Sequence, residues 1–200
     1  MFSGIIKEIG NIINIESQNG ITTISVSSTL QNIKLGNSIS INGCCLTVTD
    51  HTNNITKFEI TQETLNKTSF KFLSVRSKVN LEKSLTLGES LDGHLVLGHV
   101  DTCGTVEEIL IDRDNRIIKI SFPEEYKKYI AEKGSICVNG VSLTVIDTKN
   151  GFFTFTLIPF TRDNTNLGLI KEKDLVNLEV DVISRYTVNY LENTKAKIKC

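Results

Sequence analysis

The chain has 200 residues, 40% of them hydrophobic and 22% charged, the balance of a folded globular protein rather than a disordered or membrane-embedded one. With 22 Lys and Arg against 23 Asp and Glu, the net charge of −1 leaves no electrostatic footprint for a polyanion, which excludes nucleic acid as an expected partner. Five cysteines, an odd count with Cys44 and Cys45 adjacent and no Cys-x-x-Cys, argue against a disulfide framework or structural zinc and predict a reducing, cytoplasmic setting.

The first residues carry no basic region ahead of a long apolar run, so no signal peptide is expected, and no apolar segment approaches the length of a bilayer span. Residues 1–30 predict two strands with a hairpin corner at Asn19-Gly20. Leu35-Gly36-Asn37 then turns into residues 38–50, where period 2 places Cys44, Leu46 and Val48 on one face and Cys45, Thr47 and Thr49 on the other. Further strands are expected at Phe58 to Thr61 and Phe155 to Ile158, each followed by a Thr-rich cap or turn, 64–68 and 161–165. The join at 85–101 is apolar for a linker and carries His94 and His99, five apart, a poor spacing for a shared metal. Residues 124–133 place acids before bases and predict a short helix, and Ile183, Tyr186, Tyr190, Leu191, Thr194 and Ile198 recur at helical spacing at the end.

One stretch occurs twice. Residues 38–50 return without a gap as 135–147, a spacing of 97 from Asn42 to Asn139. The same interval pairs Thr64 with Thr161, Thr68 with Thr165, and Val79-Asn80-Leu81-Glu82 with Val176-Asn177-Leu178-Glu179, while Gly10 and Gly104 match at 94. A period this long exceeds solenoid repeats of roughly 20 to 50 residues, so the pattern reads as a duplicated domain. Short strands, frequent turns and only two prolines predict an all-β fold with a small closed or nearly closed barrel in each half. The expected divisions are 1–90, 91–186 and a terminal helix and tail at 187–200.

Two related domains offer two related small-molecule sites, suited either to an enzyme that exchanges parts between two copies of one compound or to a binding protein that uses one site. Dinucleotide, phosphate-loop and Gly-x-Ser-x-Gly motifs are missing from the sequence. The chemical tools left are His99, Cys45, Ser142, Thr144, Lys133, Asp101 and Asp181; imidazole moves protons near neutrality, and a thiol or hydroxyl adds to an electrophile or donates a hydrogen bond.

At Met1-Phe2-Ser3-Gly4-Ile5, Asn42-Gly43-Cys44-Cys45-Leu46-Thr47-Val48, Gly93-His94-Leu95-Val96-Leu97-Gly98-His99-Val100-Asp101 and Asn139-Gly140-Val141-Ser142-Leu143-Thr144-Val145 the chain resembles the riboflavin synthase family. The resemblance implies two homologous six-stranded Greek-key barrels and a C-terminal helix that gathers a homotrimer. It implies dismutation of two molecules of 6,7-dimethyl-8-ribityllumazine, both held in one site between neighbouring subunits, without metal, flavin or nicotinamide. By position, the family's functional residues fall on Phe2, Ser38, Cys45, Thr47, His99, Ser142, Thr144 and Asp181. His99, Cys45, Ser142 and Thr144 take the catalytic places, and Phe2, Ser38, Thr47, Thr64, Lys133, Thr161 and Asp181 the substrate-binding ones. The chain departs from the pattern at Asp92, Thr102-Cys103 and Phe160. A non-catalytic lumazine- or flavin-binding relative is the alternative.

Overall fold

The computed structural model describes residues 1–18, 20–149 and 151–198. The first half contains β1 (Glu8–Gln18), β2 (Ile21–Ser27), β3 (Ser38–Ile41), β4 (Cys44–Thr52), β5 (Ile55–Ile60), the short helix α1 (Gln62–Lys67) and β6 (Lys78–Lys83). These strands close into a barrel in the order β1-β2-β5-β4-β3-β6, a Greek key. Alternation builds the interior: along β5, Thr56, Phe58 and Ile60 are buried while Lys57 and Glu59 face water.

The second half repeats the plan with β7 (Thr102–Asp112), β8 (Asn115–Ser121), β9 (Ser135–Val138), β10 (Val141–Thr144), β11 (Asp147–Lys149), β12 (Phe152–Leu157), α2 (Pro159–Asn164) and β13 (Leu175–Val180). The counterpart of β4 is cut in two here, and its pieces end the sheet order β10-β9-β13-β7-β8-β12-β11, leaving the ring open. At the cut, Val145 donates to Gly134 and Ile146 to Thr154, so the backbone stays hydrogen-bonded through the break. Each half has its own core, around Phe58, Ile24 and Leu81 in the first and Phe153, Phe155 and Ile118 in the second.

A terminal helix, α3 (Val182–Ile198), follows. Asp181 caps it by accepting from the Ile183 N–H at 2.9 Å. Its root is tied to the second barrel by Asp101, whose Oδ2 accepts from Val180 N–H at 2.9 Å and whose Oδ1 meets Arg185 Nη2 at 2.6 Å. The expected helix at 124–133 is instead a 3-10 turn, Glu124–Tyr129, with the Tyr126 hydroxyl held on the Asp101 carbonyl at 3.0 Å. Asn19 of the expected hairpin corner and the Ile198 side chain lie outside the described residues.

The two Asn-Gly turns form the centre of the molecule. Asn42 and Gly43, at φ 46° and 80°, match Asn139 and Gly140, at 45° and 83°, the left-handed pair that a tight two-residue hairpin requires. They abut across a pseudo-twofold axis, where a Cβ on Gly43 would stand 2.7 Å from Gly140 N. Around them asparagines lock the barrels together. Asn80 Nδ2 donates to Asn139 O and Asn177 Nδ2 to Asn42 O, both at 2.8 Å, while Asn80 Oδ1 accepts from Asn166 N–H at 2.6 Å and Asn177 Oδ1 from Ser69 N–H at 2.7 Å. Asn177→Leu keeps the volume but orphans the Asn42 carbonyl and the Ser69 amide, each worth about 1–3 kcal/mol when buried without a partner. Urea denaturation is expected to show a lower midpoint and a combined loss of about 2–6 kcal/mol.

Candidate active site

Two straps run between the barrels, residues 1–6 and 93–100, bridged to each other by Phe2 N–H to Val96 O at 2.7 Å and Val96 N–H to Phe2 O at 3.1 Å. Each closes against the strand that follows an Asn-Gly turn. Gly98 O accepts from Cys45 N–H at 2.9 Å on β4, and Gly4 O accepts from Ser142 N–H at 2.8 Å on β10. The contacts are tight enough to require glycine: at φ +81°, a Cβ on Gly98 would stand 2.5 Å from Cys45 Cβ, and at φ +77° one on Gly4 would stand 2.6 Å from Ser142 Cβ.

Strand register then sets out two equivalent polar faces. Ser38 lies opposite Thr47 and Ser40 opposite Cys45; in the second barrel Ser135 lies opposite Thr144 and Cys137 opposite Ser142. Thiol and hydroxyl have exchanged strands between the halves, so the two faces share a backbone but not a chemistry. Cys45 is half-buried and Thr47 and Thr144 are exposed, while Cys44, on the other face of β4, sits in the core with its thiol pushed up to about 12 by burial and the neighbouring Cys45 and Glu179 charges.

The strap 93–100 carries two histidines. His99 is exposed beside Gly98, on the Cys45 side. His94 is buried, 8% exposed, with Nδ1 2.7 Å from Ser142 Oγ. Burial holds its pKa below the ordinary 6.5, against the opposing charge of Asp181. The imidazole is therefore neutral at pH 7 and available as a base. If it serves as one, the acid limb of kcat/KM is expected below pH 6.5, because a depressed pKa keeps the base unprotonated further into acid. The same shift makes the unfolded chain the better proton binder just below pH 6.5, so the contribution of His94 to stability is lost as pH falls through that region.

Under each strap lies a buried carboxylate. Glu82 Oε1 accepts from Ser3 N–H and Ser3 Oγ, both at 2.8 Å, and Oε2 from Gly4 N–H at 3.0 Å. Glu179 Oε1 accepts from Leu97 N–H at 2.7 Å, and Oε2 from Gly98 and His99 N–H at 2.9 and 3.0 Å. Burial raises both pKa values, and the converging N–H groups oppose it.

The remaining residues singled out from sequence are distributed unevenly. Phe2 is fully buried with Val96 and Cys137, its ring beneath Gly98 and against Cys45, so it props the strap. Thr64 and Thr161 sit at equivalent places in α1 and α2, each carbonyl accepting from Thr68 or Thr165 Oγ1 at 2.7 Å. Lys133 is exposed at φ +62°, in the turn that Gly36 makes in the first half. Asp181 spends one oxygen on capping α3, and Asp101 is committed to Val180 and Arg185. Sequence reasoning missed His94 and both glutamates; the glutamates were visible as the last residue of the repeated Val-Asn-Leu-Glu block, and His94 had no counterpart to flag it. Among the described residues no cluster of His, Cys, Asp or Glu is placed to hold a metal, and no helix is long and apolar enough to cross a membrane.

Two clefts, of about 520 and 430 Å³, lie elsewhere. The larger sits between the barrels, lined by Asn42, Asn139, Asn166, Phe72 and Leu169, and the other by Arg116, Arg162 and Lys78. Neither includes Cys45, Ser142, His94 or His99, which lie on the faces described above rather than inside either cleft.

The sequence of residues 3–84 and again of 97–181 matches the lumazine binding domain family. Riboflavin synthase of Actinobacillus pleuropneumoniae is 39% identical over 193 residues, covering 96% of this chain and 90% of that protein. Riboflavin synthase of Photobacterium phosphoreum is 40% identical over 189 residues, covering 93% and 87%. Among solved structures, LumP complexed with riboflavin superposes with a TM-score of 0.84 at 27% identity, and LumP complexed with 6,7-dimethyl-8-(1'-D-ribityl) lumazine with 0.82 at 26%; each comparison covers 90% of this chain and 99% of the other. With its two lumazine-binding repeats and this likeness along nearly its whole length, the chain belongs to the riboflavin synthase family.

Proposed function

We propose that this chain is a riboflavin synthase that dismutes two molecules of 6,7-dimethyl-8-ribityllumazine, moving a four-carbon unit from one to the other to give riboflavin and 5-amino-6-(ribitylamino)uracil. The observation that carries the reading is that both barrels keep a complete polar face, one with Cys45 beside the strap bearing His99 and the other with Ser142 at 2.7 Å from His94. A carrier needs one such face; an enzyme acting on two copies needs both.

In this reading each lumazine lies on one face, its ribityl chain held by Ser38 and Thr47 on one and by Thr144 and Asp181 on the other. Neutral His94, through Ser142 or directly, takes a proton from the acidic C7 methyl of the lumazine on its own face. Cys45 and the imidazole of His99 face the electrophilic ring of the second molecule. The exchange is redox-neutral, so it calls for no cofactor. As the family resemblance implies, a complete site joins the first barrel of one subunit to the second barrel of its neighbour. Exposed Ile183, Tyr186, Tyr190 and Leu191 on α3 support a homotrimer built through that helix. The cysteine inventory supports a cytoplasmic setting.

Purified protein incubated with the lumazine alone, with chelator present, is expected to release riboflavin at half the lumazine consumed, with the diaminouracil alongside. The likeness to LumP in complex with the lumazine and with riboflavin favours a second reading, a binding protein of the same fold, for which the same assay gives tight binding and no turnover.

A further inference from the structure

The two buried glutamates are wired across the molecule. Glu82 belongs to β6 of the first barrel, yet the strap it holds ends on Ser142 of the second: Glu82 to Gly4 N–H, Gly4 O to Ser142 N–H, Ser142 Oγ to His94 Nδ1. Glu179 belongs to β13 of the second barrel, yet its strap ends on Cys45 of the first: Glu179 to Gly98 N–H, Gly98 O to Cys45 N–H. We propose that Glu82 and Glu179 are crossed positioning residues, each setting the geometry of the polar face on the barrel to which it does not belong.

The chemistry of the tie explains why a carboxylate stands at both places. Each receives three hydrogen bonds at 2.7–3.0 Å, from Ser3 and Gly4 in one case and from Leu97, Gly98 and His99 in the other, and a carboxylate alone among side chains accepts at both oxygens without presenting a donor. Gln, of nearly the same size, would turn an NH₂ against at least one backbone N–H. The straps transmit the displacement because neither has slack: Gly4 and Gly98 are in left-handed conformations with Ser142 and Cys45 pressed against their Cα atoms. Both carboxylates are nearly inaccessible, at 1% and 3% exposure, so substrate does not reach them and their influence passes through the straps.

The inference takes Cys45 and Ser142 as site residues, which rests on the function proposed above, but its test needs no turnover. In Glu179→Gln, the rate of Cys45 alkylation by iodoacetamide, located by fragment-ion mass spectrometry, is expected to change by about tenfold, a larger fold-change than the one that the shift of the His94 NMR midpoint represents. In Glu82→Gln the pattern reverses: the shift of the His94 midpoint represents the larger fold-change and Cys45 alkylation the smaller. Effects confined to the glutamate's own barrel, or equal effects on both readouts from either variant, would overturn the proposal. Should the Gln variants not fold, Glu82→Asp and Glu179→Asp retain the charge and pull the strap by one methylene, and the same crossed pattern is expected. Failure of these to fold as well would make the carboxylates core requirements and also overturn it. A crossed pattern in a protein that binds lumazine without turning it over would leave the wiring intact and sink only the dismutase reading.

Discussion

His94→Ala is expected to lower kcat by about two to four orders of magnitude, the range that a positioned general base contributes, while lumazine still binds. The imidazole is buried, held neutral, and 2.7 Å from Ser142 Oγ, so its loss removes the base and strands a hydroxyl in a half-buried site. Ser142→Ala removes the same contact from the other side, so the double variant should be little worse than either single one. Additive losses would show that the two groups act separately. His99→Ala provides the contrast on the opposite face: its side chain is exposed and its backbone N–H, not its ring, is tied to Glu179. Pre-steady-state mixing with lumazine separates binding from chemistry in all four proteins.

Gly98→Ala is expected to cost about 2–5 kcal/mol and to abolish turnover. Two penalties add: a left-handed conformation at φ +81° costs an L-residue roughly 1–2 kcal/mol, and the new methyl meets Cys45 Cβ, Cys45 N and Phe2 Cε2 at 2.5–3.0 Å, an overpacking worth about 1–3 kcal/mol. Backbone nitrogen and a fully buried ring cannot swing aside, so the strap must lift and the Cys45 N–H loses its acceptor. Gly36→Ala is the control, with φ +79° and nothing within 4 Å of the added carbon. It should pay only the conformational part, as Lys133 does at the matching turn. Urea denaturation of both variants isolates the contact from the dihedral.

The repeat disclosed the duplication, the Asn-Gly corners and the two-faced strands, because those features are written in local sequence and survive in both copies. Asn80 and Asn177 were visible as part of a repeated block, but their reach into the opposite barrel depends on docking, which no local pattern encodes. His94 stayed hidden for a related reason. It lies outside the repeated blocks, and its partner Ser142 is 48 residues away. The cut between β10 and β11 was equally silent, since Val145-Ile146 reads as well in a strand as Val48-Thr49 does. The contacts that assemble the polar faces are long-range hydrogen bonds between straps and strands, and sequence records their participants without their meeting.

The strap at 1–6 also dictates an order of events during synthesis. Its residues leave the ribosome well before their partners: Glu82, which receives the Ser3 and Gly4 amides, is 79 and 78 positions away, and the Ser142 amide that closes on Gly4 emerges later still. The first barrel can therefore collapse early around its own core and take the strap onto Glu82, but the closure of Gly4 on Ser142 has to wait until the second barrel exists. Such distant closures slow folding, because the loop entropy is spent before the contact forms. The last step of maturation is then expected to be the closure of Gly4 on Ser142.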